Sequence, residues 1–324
     1  MALKFYKSKD KLPLHTIAFY NLENLFDTAD DQNILDDDFT PGGRNRWTRK
    51  RYRNKLRKLA KTIARIGSNP TEKSPALLGV AEVENKGVLN DLIMTDPLRK
   101  ENYGIVHYNS PDERGIDTAL LYCKKSFKLL NSRPIPLMVN NTNGDRDRTR
   151  DILYVHGKLH GRHLHIYVNH WPSRREGEEE TRYKRVKAAT LIADEMNAIR
   201  SKYHDANFVV MGDFNDGPKA HSIQVMKEKG KLYNPMDKLL TPDRGSANYR
   251  TEWGLFDQIL ISNSLLNYER GTLGFLRADI YDRHFLTAWS GRFRGNPFRT
   301  FAGPKYLGGF SDHFPVYIQL RYNS

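Results

Sequence analysis

The amino-acid sequence predicts an α/β or α+β fold, and three observations carry that prediction. Short apolar runs, several ending in polar residues, alternate with amphipathic helical stretches along the chain. No low-complexity linker, fixed-period repeat or abrupt change of composition interrupts them after the first few residues. The chain has 324 residues, 39% of them hydrophobic and 28% charged, so it can bury a sizeable core without staples. Length alone allows one large domain or two ordinary ones.

The elements follow in order. His15 to Tyr20 (HTIAFY) reads as a short strand that ends in Asn-Leu-Glu-Asn. Residues 28–46, rich in Asp, Gly and Asn, read as a long loop. From Trp47 to Ile66 the pattern is helical, with Tyr52, Leu56, Leu59, Ile63 and Ile66 on one stripe and Arg and Lys dense on the other face. Pro75 to Ala81 (PALLGVA) is a continuous apolar run, expected to be a buried strand with Glu82 at its end. Tyr103–Tyr108 and Thr118–Cys123 are further short strands. Arg150–Leu159 and Arg162–Asn169 form a hairpin with His160-Gly161 at its turn. Thr181–Tyr203 is a long helix whose core stripe is Val186, Ala189, Ala193 and Met196, with Glu178 to Glu180 near its start, where the dipole favours acid. Asn207–Met211, Leu255–Ser262 and Phe314–Leu320 complete the predicted strands.

Composition excludes several classes of protein. No run approaches the ~18 apolar residues of a membrane span, and mean hydropathy is −0.69. One cysteine, Cys123, excludes an intrachain disulfide framework. The first seven residues, MALKFYK, carry no apolar signal-peptide region, which favours a cytoplasmic location. The 52 Lys plus Arg against 38 Asp plus Glu give a formal charge of +14. That surplus favours polyanionic partners, although solubility alone is a blander reading of it.

Six segments bring carboxylate, amide or imidazole groups to strands or their ends: Asn21-Leu22-Glu23-Asn24, Glu82-Val83-Glu84-Asn85, Asn169-His170-Trp171, Gly212-Asp213-Phe214-Asn215, Phe256-Asp257-Gln258 and Ser311-Asp312-His313. Singly, a strand-end Asp or Asn is usually a turn or cap residue. Asp257 differs, because a carboxylate in an apolar strand needs a partner, and His313 and His170 are the candidates. Together the segments offer oxygen ligands without a thiolate cluster, which suits a hard cation such as Mg²⁺ or Mn²⁺ better than zinc. Two histidines suit proton handling or oxyanion stabilisation. His163 and His165 alternate along a strand and read as a strand face rather than as ligands.

The ordered set Asn21 (YNLENLF), Glu82 (GVAEVEN), His170 (VNHWPS), Asp213 and Asn215 (MGDFND), Asp257 (LFDQILIS) and Asp312-His313 (FSDHFPV) resembles the endonuclease/exonuclease/phosphatase superfamily. Within that superfamily, which includes deoxyribonuclease I and exonuclease III, it looks most like an uncharacterised bacterial branch. The resemblance runs from about His15 to Leu320. It implies a four-layer α/β sandwich of two packed mixed sheets flanked by helices. It also implies a single domain over residues 15–324 behind an N-terminal extension, residues 1–14. The implied activity is phosphoester hydrolysis with a divalent metal. Carried over residue by residue, Glu82 is the main metal ligand, with Asn21 holding the metal or its water and Asp312 supporting that end of the site. Asp213 orients and deprotonates the attacking water, and Asn215 binds and positions the phosphate. His313 contacts a non-bridging oxygen, Asp257 orients its imidazole, and His170 touches the phosphate or assists the leaving group. Arg150 is expected to reach the phosphate.

Two basic segments point to nucleic acid, most of all DNA, as substrate for a monomeric endonuclease or exonuclease. From Arg44 to Arg65 there are eleven Lys or Arg and no acid, and Arg51, Lys55 and Lys58 are expected to meet a phosphate backbone. From His284 to Tyr306, Arg292, Arg294 and Arg299 interleave with aromatic residues, a pattern suited to backbone neutralisation with base stacking. An ordinary solvated helix face and a structural loop with inward-packed aromatics are the plainer alternatives. The competing activity is a phosphatase or phosphodiesterase acting on a small-molecule or lipid phosphate. A non-catalytic binding module would have lost the ordered set, which is intact here. A second cation site at Asp36, Asp37 and Asp38 is weighed against a solvated acidic loop, which is the simpler reading.

Overall fold

The computed structural model describes residues 13–68, 73–141, 143–175, 177–249 and 251–324. Twelve strands build two six-stranded sheets. In chain order they are β1 (Leu14–Leu25), β2 (Leu77–Val83), β3 (Tyr103–His107), β4 (Asp117–Cys123), β5 (Phe127–Ile135), β6 (Ile152–Leu159), β7 (Arg162–His170), β8 (Phe208–Asp213), β9 (Leu232–Tyr233), β10 (Asp257–Ser262), β11 (Leu273–Ile280) and β12 (Val316–Tyr322). Among the described residues the α-helices include α1 (Arg49–Ile63), α2 (Lys86–Ile93), α3 (Glu178–Arg200) and α4 (His221–Glu228). The first sheet runs β11-β12-β1-β2-β4-β3 and the second β9-β10-β8-β7-β6-β5.

The two sheets repeat one pattern. Each has a single parallel pair at its centre, β1 with β2 and β7 with β8, and every other neighbour is antiparallel. Alternation assigns each strand two faces. Ile166, Val168, Val209, Met211, Ile259 and Ile261 face the first sheet and share a core with Ile17 and Phe19. Tyr167, Phe208, Val210 and Leu260 point the other way, onto Ala188, Ala189, Ile192 and Met196 of α3 and Ile223 and Met226 of α4. Gly79 marks how closely the sheets approach, since a Cβ there would lie 2.6 Å from Met211 Sδ. The result is the four-layer α/β sandwich.

Local sequence explains most element ends. Thr48 caps α1 by accepting from Arg51 N at 3.4 Å, so the helix starts two residues after the predicted Trp47. Asn85 caps α2, accepting from Val88 N at 3.0 Å. The β6–β7 hairpin turns on His160 (φ 47°) and Gly161 (φ 78°), consecutive left-handed residues as a two-residue hairpin demands. The first strand runs on through the polar Asn-Leu-Glu-Asn to Leu25, beyond the predicted end at Tyr20. The segment over residues 28–46 is a loop except for one short 3-10 turn, Asp37–Phe39. Of the predicted N-terminal extension, residues 1–12 lie outside the described residues. Among the described residues no helix is long and apolar enough to cross a membrane.

Candidate active site

The apolar layer between the sheets ends in polar groups at one edge. Going along β7, β8 and β10, the inward positions pass from Val168, Met211 and Ile259 to His170, Asp213 and Asp257. Asp213 is in register with His170 on one side and with Asp257 on the other, so the three side chains form a row across the second sheet. From the first sheet, Asn21 continues the face of Ile17 and Phe19. Glu82 reaches the same place by a different route. It sits at a register shift between Ala81 and Val83 with φ 59°, a left-handed conformation that ordinary alternation does not produce. Glu23, Asn24 and Asn215 are left-handed too, at φ 52°, 52° and 50°. Non-glycine residues in this region carry strain, which tends to gather at functional sites.

Hydrogen bonds tie the row together. Asn21 Nδ2 donates to Glu82 Oε1 and to Asp213 Oδ2, each at 3.1 Å, bridging the two sheets. Glu82 Oε2 accepts from Asn24 N at 2.9 Å. His170 Nε2 lies 3.8 Å from Asp213 Oδ2 and 3.9 Å from Glu82 Oε1. On the other flank His313 Nε2 lies 3.9 Å from Asp213 Oδ2 and 4.0 Å from Asp312 Oδ1, while its Nδ1 contacts Asp257 Oδ2 at 2.7 Å. Of the two candidate partners for Asp257, the structure pairs it with His313. Asn215 N donates to Asp213 Oδ1 at 3.0 Å and Asn215 Nδ2 to Trp171 O at 2.9 Å. Ser311 joins the last segment to the first strand, donating to Asn21 O at 2.7 Å.

The flanking histidines differ in charge. Burial opposes a charge on His313, but Asp257, Asp213 and Asp312 hold its pKa well above the usual imidazole value. Burial and the nearby Arg150, Arg114, His313 and Arg175 push His170 well below that value. Between them, burial raises Asp213 to about 6, with Asp257 and Glu82 adding to the rise and His313 opposing it. The site thus places a carboxylate of raised basicity between an imidazolium and a neutral imidazole.

The donor set fits a hard divalent cation. Glu82, Asp213 and Asp312 supply carboxylates and Asn21 an amide, with no thiolate near them. Asp213, Asp257 and His313 also converge, with one ligand atom from each lying within 4.8 Å of the others. In that trio His313 spends Nδ1 on Asp257, so Nε2 is its open ligand atom.

Of three expected surface contacts, Lys55 is buried and Arg51 and Lys58 are half-buried. Lys55 is 1% exposed; its Nζ donates to Glu23 O at 3.1 Å and to Thr300 Oγ1, and lies 3.6 Å from Glu23 Oε2. Lys58 donates to Gly308 O and covers the Phe298 and Phe310 rings. Arg51 donates to Asn45 O at 2.6 Å and stacks 4.3 Å from the centre of the Tyr306 ring. These residues clasp the 284–310 segment as a strap over α1, because the helix turns them toward its aromatic residues. The exposed basic stripe of α1 is instead Lys50, Arg53, Arg57 and Lys61. Arg299 pairs with Asp312 at 3.0 Å and approaches Glu23 at 3.6 Å, beside the site, whereas Arg292 and Arg294 are exposed.

Arg150 lies beside the site but is buried, with Nη1 donating to Asp112 Oδ2 at 3.0 Å and Nη2 to Trp171 O at 2.8 Å. Asp36 is buried and accepts from Asp31 N at 3.2 Å, while Asp37 and Asp38 are exposed, so the three do not converge on a cation. Sequence reasoning overlooked Asp112 and gave no role to Glu23 or Ser311, which lie inside segments it quoted. It also missed Asp216, which pairs with Arg174 and Arg185 at 2.9 Å each and anchors the loop behind Asn215. Glu23, Ser311 and Asp216 had a signal, as polar residues next to ones already singled out.

The model of the "Endonuclease/Exonuclease/phosphatase family" matches residues 16–322. A family protein from Bacteroides thetaiotaomicron is 17% identical, with 96% of each chain covered and a TM-score of 0.60. TDP2 from D. rerio, solved with a single-strand DNA product, is 15% identical over 95% of this chain and 99% of its own, with a TM-score of 0.57. A mannosyl-6-phosphatase from Bacteroides thetaiotaomicron VPI-5482 is 16% identical over 95% of this chain and 100% of its own, with a TM-score of 0.55. No curated protein sequence matches the chain.

Proposed function

The chain belongs to the endonuclease/exonuclease/phosphatase family and is a metal-dependent phosphoesterase, and from that premise we propose that it is a nuclease cleaving phosphodiester bonds, most of all in DNA. One observation carries the choice of substrate: exposed cations form continuous surfaces on a +14 chain. Lys50, Arg53, Arg57 and Lys61 follow one another along the open face of α1. In the strap Arg292 and Arg294 flank Phe293, which is 59% exposed, and Trp289 three residues earlier is 75% exposed. A polymer rewards a long basic surface through counterion release, and exposed aromatics suit base stacking. The DNA product bound by the TDP2 relative agrees with this choice.

In this reading Glu82, Asn21 and Asp312 hold Mg²⁺ or Mn²⁺, the amide of Asn21 also bridging Glu82 and Asp213. Bound there, the cation would supply Lewis-acid stabilisation of the phosphoryl oxygens. Asp213 accepts the proton of the attacking water, its basicity raised by burial. Asn215 keeps one amide hydrogen on Trp171 O and offers the other to a phosphate oxygen. His313, held by Asp257, turns its Nε2–H toward the oxygen on which negative charge grows. His170 stays neutral and contacts the phosphate or the leaving group. Arg150 contributes fixed positive charge behind the phosphate. The chain acts as a monomer.

A phosphatase acting on a small phosphate is the second reading, favoured by the mannosyl-6-phosphatase relative. The test is a panel of plasmid, linear duplex, single strands, RNA, a sugar phosphate and bis(p-nitrophenyl) phosphate, each with and without EDTA and with Mg²⁺ or Mn²⁺ restored. Metal-dependent cleavage of DNA is expected. Brisk turnover of the sugar phosphate with no cut DNA would replace the nuclease reading. Full activity in excess EDTA after dialysis would remove the metal from the proposal.

A further inference from the structure

On the His170 side of the row, positive charge exceeds its partners. Arg150 and Arg114 share one carboxylate: Asp112 Oδ2 accepts from Arg150 Nη1 at 3.0 Å, and Asp112 Oδ1 lies 3.7 Å from Arg114 Nε. Arg150 is 6% exposed, and its Nε is buried with no hydrogen-bond partner. Among the described residues, Asp112 is the one carboxylate in contact with either guanidinium. Two partly desolvated like charges on a single counter-ion are unfavourable unless another anion joins them. A third cation stands close by. Arg174 fixes the chain after Trp171 by donating from Nε to Asn215 O at 2.6 Å and pairing with Asp216 and Glu178, so its charge is spent. Arg175 follows, exposed and with no partner among the described residues. The fields of Arg150 and Arg175 both reach Arg114, where with burial, the larger cause, they lower the guanidinium pKa.

We propose that Arg114 and Arg175, backed by the fixed charge of Arg150, form a subsite for a second phosphate, next to the one being cleaved. The proposal rests on the nuclease reading and narrows it: the favoured substrate carries two phosphates in sequence, with the second lying on the His170 side. The terminal nitrogens of Arg150 are occupied by Asp112 and Trp171. Arg114 and Arg175 therefore make the direct contacts, as charge-assisted hydrogen bonds. A neighbouring phosphodiester of a polynucleotide and the second phosphate of a small bisphosphate share this chemistry.

The test uses the full chain with Mg²⁺ and two pairs of chromogenic probes. These are the p-nitrophenyl ester of thymidine 5′-phosphate with and without a 3′-phosphate, and the p-nitrophenyl ester of thymidine 3′-phosphate with and without a 5′-phosphate. A sugar bisphosphate and its monophosphate form a third pair. In at least one pair the extra phosphate is expected to raise kcat/KM by about tenfold or more, mostly through KM. In Arg114→Gln/Arg175→Gln, checked for an unchanged melting temperature, that ratio should fall to near one. Arg114→Lys/Arg175→Lys should restore part of it. A preference in a nucleotide pair assigns the subsite to a polynucleotide, and one in the sugar pair alone assigns it to a small bisphosphate. A ratio near one in every wild-type pair, or a ratio that survives the Gln substitutions, overturns the subsite. Discrimination among the small probes without DNA cleavage would overturn the nuclease reading and leave the subsite standing.

Discussion

Replacing Lys55 by Met tests whether the strap is bolted to the site from behind. Lys55 and Glu23 are 1% and 5% exposed, with Nζ 3.6 Å from Oε2. Removing the lysine leaves the Glu23 carboxylate with Thr300 N at 2.6 Å and the half-exposed Arg299 at 3.6 Å. Breaking one side of a buried pair typically costs about 3–5 kcal/mol, and the remaining Arg299 contact places this case near the lower end. Lys55→Met should therefore lose about 3 kcal/mol. Burial and Asp312 already raise the Glu23 pKa, so Glu23→Gln should be the milder change. The double variant should recover about 1–2 kcal/mol relative to the sum of the single changes, because the orphaned charge is gone. Equilibrium guanidinium denaturation of the four proteins gives the coupling. Trypsin gives an independent reading: cleavage after the exposed Arg292 and Arg294 should speed up in Lys55→Met as the strap loosens. Stability within about 0.5 kcal/mol of wild type, joined to weaker DNA binding, would put Lys55 on the surface and refute the packing argument.

Three further outcomes are expected. Asp213→Asn and His313→Ala should each lower kcat at least ~10²-fold with circular dichroism unchanged, and Asp257→Ala should do the same while also destabilising, since His313 loses its 2.7 Å partner; a wild-type rate in either of the first two removes that residue from the chemistry. Changing Lys50, Arg53 and Arg57 to Glu should weaken DNA binding and flatten the slope of log K against log salt by about 2–3 units, and an unchanged slope would locate the DNA elsewhere. His165, buried against His156 and Phe208, is lowered to about 4 by burial and its histidine neighbours. Its unfolded value is near 6.5, so the stability it gives is complete above that pH and is lost as pH falls toward about 4, up to about 3 kcal/mol. His165→Phe should flatten stability over that pH range, and an equal slope in both proteins would show that His165 does not take up the proton.

Much of this protein was legible in the order of its residues. Alternation and continuous apolar runs located the central strands, since the period of a strand is local. The apolar-to-polar change along VNH, MGD and FDQ marked where a core gives way to a site. The lone Asp257 in an apolar strand called for a charged partner, because burying a carboxylate without one is too costly. Elements without such signals went unread: β5, β11, α2 and α4 are short or half-exposed and owe their conformation to neighbours. Only the tertiary structure decided which histidine meets Asp257, because two strands in register bring Asp213 between His170 and Asp257 while His313 arrives from a distant segment. It also decided the side on which each cation of α1 is spent. In the sequence Lys50, Lys55 and Lys58 are equivalent charges on one helix. In the fold, Lys55 meets Glu23 of the first strand and Thr300 of the strap, Lys58 meets a carbonyl and aromatic rings of the strap, and Lys50 is exposed. A helical period gives the angle between side chains, but what waits at each angle comes from residues some 250 positions away.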